Sequence, residues 1–126
     1  MFAPEDHEEL LTFLYQIPFG VARMDGSGEL GLANPMTVQL MLQIDAGSTN
    51  LLETLDRHAP DLARSVRDYE GPAGLVLKEA RVDFGVRGKK RPRRLCVVFS
   101  VSKLDEDRFM VVLREDSAPV EASSAG

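Results

Sequence analysis

The sequence predicts an α+β domain in which short helices lie between the second and third of five antiparallel strands. Three observations carry this prediction: a hairpin signal near the start, a central series of helix-start residues, and three strand-like segments near the end. The chain has 126 residues, of which 44% are hydrophobic, and this fits one compact domain with a core of its own.

The first two strands are predicted from a turn between two apolar runs. Residues 19–24 ("FGVARM") and 29–33 ("ELGLA") flank "DGSG" at 25–28. Asp-Gly between apolar runs is a strong hairpin signal, because glycine readily adopts the positive φ that tight turns need. The segment therefore predicts an antiparallel hairpin.

The helices are predicted from their capping residues. Asn34 suits an N-cap, and Pro35 suits the first helical position, where its missing N–H costs nothing. Residues 36–44 continue this helix, which "DAGS" ends. Two more helices are predicted, over 50–55, where Asn50 and Glu53 have the capping-box spacing, and over 60–72, from Pro60 to Gly71-Pro72.

Three further strands form a predicted meander over 78–86, 95–104 and 108–115. In the first of them apolar and polar residues alternate, which predicts one buried and one exposed face; the buried set is Ala80, Val82, Phe84 and Val86. In 95–104 both faces are apolar, since Leu95, Val97 and Phe99 alternate with Cys96 and Val98. The sequence alone does not decide which of these two sets faces inward.

The domain is predicted to occupy residues 18–115, with a helix before it and a disordered tail over 116–126. Residues 1–17 predict an amphipathic helix with acidic residues at its start and an apolar stripe of Leu10, Leu11, Phe13, Leu14 and Ile17. That stripe needs a partner, either the domain itself or a second copy of the chain. We expect dimerisation through Leu10, Leu11 and Leu14.

Residues 17–42, "IPFGVARMDGSGELGLANPMTVQLML", resemble the opening of a PAS domain. The shared features are a Pro-x-Gly before the first strand, an Asp-x-x-Gly turn, a second strand and an Asn-Pro helix start. The resemblance covers about residues 10–115. It implies the strand order 2-1-5-4-3, helices on one face, often a ligand cavity, and an N-terminal flanking helix through which many relatives dimerise. It also implies a role in signal transduction, such as bacterial signalling.

The resemblance suggests which residues would line a cavity: Met41, Leu52, Val82, Phe84, Cys96 and Phe99. Relatives that bind haem use a histidine in the central helical segment, which makes His58 a candidate ligand. However, His58 precedes Ala59-Pro60 and so is predicted in a connection between helices. Cys96 lies in a strand run, without the segment that flavin-binding relatives carry, and its alternative interpretation is a small buried apolar residue. The sequence indicates no cofactor or metal, so whether the domain binds a cofactor stays unknown.

Charge along the chain is strongly segregated. Residues 87–94, "RGKKRPRR", contain six basic residues, whereas the whole chain carries −5, so the other residues together carry −11. Three interpretations of this run stay open: a solvated hairpin tip, a contact for an acidic protein or a second subunit, and nucleic-acid binding. Nucleic acid is the least favoured because the run has no interleaved aromatic residues.

The remaining observations concern function class and location. The sequence shows no catalytic motif, phosphate loop or metal-ligand spacing, so we expect no enzyme activity from this chain. The single cysteine excludes an internal disulfide, and no apolar run could span a bilayer. We expect a cytoplasmic sensory module that binds a small ligand and signals through dimer contacts to an effector domain or protein. The alternative is a ligand-free dimerisation scaffold.

Overall fold

A computed structural model describes residues 18–46, 48–88 and 90–116, together with the backbone of 118–119. The predicted N-terminal helix, including Leu10, Leu11 and Leu14, lies outside the described residues. Most of the predicted tail also lies outside them; within it, Ala118–Pro119 form a two-residue strand that pairs with Arg93 and Arg94. No helix in the described part of the chain is long and apolar enough to cross a membrane.

The described elements form one antiparallel sheet with three helices. Five strands follow the order β2-β1-β5-β4-β3, and a sixth, β6, pairs with β4 beside this path. The predicted α+β class and the order 2-1-5-4-3 are confirmed. The strands are β1 (Gly20–Asp25), β2 (Leu30–Ala33), β3 (Gly74–Arg87), β4 (Arg93–Asp105), β5 (Arg108–Glu115) and β6 (Ala118–Pro119), and the helices are α1 (Pro35–Ile44), α2 (Leu51–His58) and α3 (Pro60–Arg67).

The turn between β1 and β2 is held by the side chain of Asp25. Its Oδ1 atom accepts hydrogen bonds from the Ser27 amide (2.9 Å), the Ser27 hydroxyl (2.6 Å) and the Glu29 amide (3.0 Å). Gly28 adopts φ = 96°, a left-handed conformation that favours glycine. The predicted hairpin is present, and it places β2 at an open edge of the sheet.

The three described helices begin at the predicted positions, and two of them have a side-chain cap. Asn34 caps α1 by accepting from the Thr37 amide, and Asn50 caps α2 by accepting from the Glu53 amide at 3.0 Å. The third helix is shorter than predicted. It ends at Arg67, so Tyr69 lies beyond it, and the Tyr69 hydroxyl donates to the Pro72 carbonyl at 2.8 Å.

Strand β3 differs from the sequence prediction at both ends. It begins at Gly74, four residues before the predicted start. The prediction missed this first part because an irregularity near Glu79 (φ = 47°) interrupts the alternation of buried and exposed residues. Leu77 is buried before this irregularity, and Val82 and Phe84 are buried after it. Another irregularity, at Gly85, turns Val86 outward, where its side chain is 47% exposed. The prediction that Val86 lies on the buried face is therefore wrong.

The open question about β4 is resolved by its register. Val82 pairs with Val97, and both belong to the core between sheet and helices; Asp83 pairs with Cys96, and Asp83 is exposed. Directly paired residues project from the same face, so Cys96 faces away from the helices. Leu95, Val97, Phe99 and Val101 are the inward residues and are fully buried.

Candidate functional site

A surface groove lies between the edge strand β2 and helix α1, and we call it the β2–α1 groove. Its volume is about 280 Å³. Its walls come from β2, α1 and the loop after α1: Leu30, Gly31, Ala33, Thr37, Val38, Met41, Leu42, Ser48 and Thr49. Gly31, which has no side chain, and Ala33, which has a single methyl group, leave room on the strand side.

Asn34 fixes the wall that α1 provides. Its Oδ1 atom accepts from the Val21 amide (2.9 Å), the Thr37 amide (3.1 Å) and the Thr37 hydroxyl (2.8 Å), and its Nδ2 atom donates to the Phe19 carbonyl (3.0 Å). The Thr37 hydroxyl is also 3.1 Å from the Val21 carbonyl. Because Phe19 and Val21 belong to the entry and first strand of the sheet, this network joins α1 to β1.

The loop after α1 is fastened at the opposite wall. The Leu30 amide donates to the Thr49 carbonyl at 2.8 Å, so this loop covers part of the outer edge of β2. Farther along, the Thr54 hydroxyl lies 3.1 Å from Asp45 Oδ2, and Asp45 also forms an ion pair with Arg57. The groove is therefore bounded by backbone and side-chain hydrogen bonds rather than by a loose loop.

The rim of the groove is apolar and open to solvent. Val38 and Leu42 are 51% and 58% exposed, and Leu32 on the adjoining β2 is 71% exposed. The polar atoms of Thr37 are engaged in hydrogen bonds, which leaves Ser48 and Thr49 as the polar side chains nearest the opening. Such a surface suits a small apolar molecule or an apolar side chain more than a charged ligand.

The structure brings together five of the six residues that the resemblance suggested as a cavity lining. They belong to the buried cluster between sheet and helices, and the rings of Phe84 and Phe99 meet edge to face with centroids 6.2 Å apart. These five are Met41, Leu52, Val82, Phe84 and Phe99, each no more than 5% exposed. Cys96 is not with them, because it lies on the other face of the sheet. Among the six, Met41 alone also lines the groove.

His58, the candidate haem ligand, is the last residue of α2. Its ring meets the ring of Phe84 edge to face, with centroids 4.8 Å apart. Partial burial lowers the pKa of His58, and the charges of Arg87 and Arg57 lower it further. No group of three metal-ligating side chains occurs in the described ranges.

The basic run forms the hairpin between β3 and β4, and most of its arginines have partners. Arg93 forms an ion pair with Glu115, and Arg94 lies 3.0 Å from Asp83. The guanidinium of Arg87 donates to the Gln43 carbonyl at 3.1 Å, which ties the hairpin to the end of α1. Lys90 and Arg91 are exposed at the tip.

The strand order and helix placement described above are those that the PAS resemblance implied. The fold is PAS-like. Among solved structures, this chain is similar to the PAS domain of nitrogen regulation protein NR(II) from Vibrio parahaemolyticus, at 20% sequence identity and a TM-score of 0.44. The alignment covers 82% of this chain and 94% of that one. No family model and no curated protein matches the sequence.

Sequence reasoning missed the groove itself. It placed the candidate site in the interior, whereas the open apolar surface lies at the sheet edge. The available signal was Val38 and Leu42, which lie four residues apart and share a face of α1 beside the buried Leu40 and Met41.

Proposed function

We propose that this PAS-like domain is a sensory and interaction module of a signal transduction protein, without catalytic activity of its own. It binds a small apolar ligand in the β2–α1 groove and relays the change to an effector through dimer contacts. The observation that carries this proposal is the groove: an apolar opening of about 280 Å³. That volume lies just below the roughly 300 Å³ at which small-molecule pockets begin.

The position of the groove gives a route for the relay. A ligand between β2 and α1 would press on the helix wall, and α1 is joined to β1 through Asn34. A ligand shifts a conformational equilibrium only if it binds one arrangement better than another. The Asn34 network offers a connection through which such a preference could reach the entry of the sheet at Phe19.

The ligand is tested with a fluorescent apolar probe, N-phenyl-1-naphthylamine, and by native mass spectrometry of freshly purified protein with its absorption spectrum. Ala33→Trp fills the groove, and Leu75→Trp places the same side chain at a 53% exposed position outside it. We expect Ala33→Trp to weaken probe binding by roughly tenfold or more, since contact area is lost. Equal binding by both variants would remove the groove as the site.

Dimerisation through Leu10, Leu11 and Leu14 forms part of the proposal. Replacing Leu10 and Leu14 with Glu should shift the protein towards monomer in sedimentation, because charged groups would be buried in the contact. A dimer that survives both changes would place the interface elsewhere.

A second candidate function is a ligand-free protein-contact scaffold. The exposed apolar side chains of Val38 and Leu42 in the groove favour it, since clustered exposed apolar residues mark interaction surfaces. A protein that forms a stable dimer but binds neither the probe nor a co-purifying molecule would have this function instead.

A further inference from the structure

The rim of the β2–α1 groove has the features of a surface that another segment covers. Val38 and Leu42, which line the groove, are each more than half exposed, and so is Leu32 of the adjoining β2. On the opposite face of the sheet the exposure of the apolar side chains varies: Val98 is 6% exposed, Met110 36% and Leu75 53%. The groove differs from that face because two of its exposed apolar side chains, Val38 and Leu42, lie together along one concave surface.

The chain enters the fold beside this groove. Asn34 donates to the Phe19 carbonyl and accepts from the hydroxyl of Thr37, which lines the groove. One side chain therefore links the residue at the entry to a groove wall. The described part of the chain begins at Pro18, one residue before this entry, and the 17 residues before it in the sequence carry the stripe of Leu10, Leu14 and Ile17.

The far end of the groove is basic. Leu42 lines the groove, and the next residue, Gln43, accepts from Arg87 through its carbonyl and from Arg93 through its Oε1 atom at 2.7 Å. Lys90 is exposed in the same hairpin. A segment that ran along α1 from the entry towards Gln43 would bring its own first residues to this positive charge.

The start of the chain has the complementary charge. Glu5, Asp6, Glu8 and Glu9 precede the apolar stripe. A helix over 5–17 would be about 20 Å long, and Thr37 to Gln43 spans about 9 Å of α1, so the acidic end reaches the hairpin with length to spare. Opposite charges brought together in this way favour one orientation of the segment.

We propose that residues 5–17 dock in the β2–α1 groove of the same chain. The apolar stripe covers the rim, with Leu14 near Val38 and Leu10 near Leu42, since both pairs have the four-residue spacing of one helix face. The acidic residues lie against Lys90 and Arg91 of the basic hairpin.

The docked segment also deepens the proposed function. A ligand in the groove competes with residues 10–17, and the displaced stripe becomes available to a second copy of the chain. Ligand binding then raises the dimer population through the differential affinity of the two states. Only this competition rests on the proposed function; the docking itself needs no ligand.

The docking is tested by disulfide formation in the full chain. Cys96→Ala removes the single native thiol, and the pair Leu14→Cys with Val38→Cys places one thiol on each proposed surface. The control pair is Leu14→Cys with Leu75→Cys, at an exposed position outside the groove. Under mild oxidation without ligand, we expect an intrachain bond in the first pair at least roughly tenfold faster than in the control, because docking raises the effective concentration.

Each outcome of this experiment is decisive. A fast intrachain bond, seen as a monomer without free thiols, supports the docking. A bond that joins position 14 of one chain to position 38 of another, identified by peptide mapping, assigns the groove to a second copy and overturns the proposal. Slow intrachain rates that are equal in both pairs overturn it as well.

The charge contact has its own measurement. Lys90→Glu with Arg91→Glu should slow the intrachain bond by roughly tenfold at low salt, and 0.5 M salt should slow it in the parent pair, since screening weakens exposed charges. Rates unaffected by both changes would remove the hairpin from the contact. The disulfide experiments contain no ligand, so a negative result there does not bear on ligand binding. Equally, a probe that does not bind would contradict the proposed ligand site but not the docking of residues 5–17.

Discussion

The Thr37 hydroxyl donates a 2.8 Å hydrogen bond to Oδ1 of Asn34, and Thr37 is 1% exposed. The contact belongs to a helix cap that also holds two parts of the sheet entry, the Val21 amide and the Phe19 carbonyl. A cap usually satisfies one or two amides of its own helix. Here the same side chain sets the position of α1, and with it the groove and the point at which the chain enters.

Asn34→Ala should destabilise the protein by about 2 kcal/mol or more, because it removes the cap and leaves partly buried polar groups without this partner. Asn34→Asp is the control: it keeps the acceptor oxygen but loses the Nδ2 donor to Phe19, so about 1 kcal/mol is expected. Urea denaturation of the three proteins measures both values. Equal loss in the two variants would contradict the separate roles of acceptor and donor.

Gly28→Ala should destabilise the protein more than the same substitution at Gly31 or Gly74. Gly28 has φ = 96°, and an added β-carbon would lie 2.6 Å from Leu52 Cβ, so both backbone strain and a core clash result. We expect a loss above about 3 kcal/mol, since strain of this kind costs about 1–3 kcal/mol by itself.

Two glycines separate the contributions to that loss. Gly74 has φ = 146° with open space around it, so Gly74→Ala measures strain alone. At Gly31 the added carbon would lie 3.8 Å from the Arg23 carbonyl, an ordinary contact. Thermal unfolding should rank Gly31→Ala least, Gly74→Ala next and Gly28→Ala most destabilising, and any other ranking would contradict this account.

Local signals in the sequence predicted the hairpin and the caps because each depends on residues close together in the chain. Asn34 and Asn50 cap their helices as predicted, and the turn that begins at Asp25 joins two strands as predicted. The strand order came from the PAS resemblance, since local periodicity does not specify which strands become neighbours.

The irregularities of β3 could not be predicted in the same way. The backbone at Glu79 is held by Ser100 of the neighbouring strand, whose hydroxyl accepts from the Glu79 amide at 3.1 Å. That contact is long-range, and it shifts the inward positions by one residue. The alternation in 78–86 thus missed Leu77, and the separate irregularity at Gly85 misplaced Val86.

The two faces of β4 illustrate a related limit. Leu95 to Phe99 are apolar at every position, so periodicity cannot identify the inward set. Only pairing with β3, where Asp83 stands beside Cys96, assigns the faces. The groove likewise could not be predicted from the sequence, because its width depends on the distance between α1 and β2.

Ser27→Ala should raise the pKa of Asp25. The Ser27 hydroxyl is the main cause that lowers this pKa below 3.8, and backbone amides of the same turn lower it further. A carboxyl whose pKa is lower in the folded state adds stability above pH 3.8, and that stability is lost as the pH falls through the folded value.

Carboxyl-carbon NMR titration of wild type and Ser27→Ala measures the shift directly. The control is Ser65→Ala, whose hydroxyl donates to the Asp61 carbonyl and not to a carboxylate. Wild type should also lose more stability than Ser27→Ala on acidification through this range. An unchanged Asp25 titration in Ser27→Ala would show that the backbone amides suffice.

His58 predicts a second pH dependence, at higher pH. Its pKa is lowered from 6.5 by burial first and by Arg87 and Arg57 next, so the unfolded chain binds this proton more readily than the folded one. Stability is therefore complete above pH 6.5 and is progressively lost as the pH falls from 6.5 through the lower folded value.

His58→Gln cannot titrate, so its stability should fall less between pH 7.5 and pH 5.5. His7→Gln is the matched control, since His7 is the other histidine of the chain and lies outside the described fold. The measurement is the change in urea midpoint between the two pH values within each variant. This difference cancels the loss of the ring contact with Phe84, because that loss is the same at both pH values. If His58→Gln and wild type respond equally to acidification, burial of His58 against Phe84 does not govern its titration.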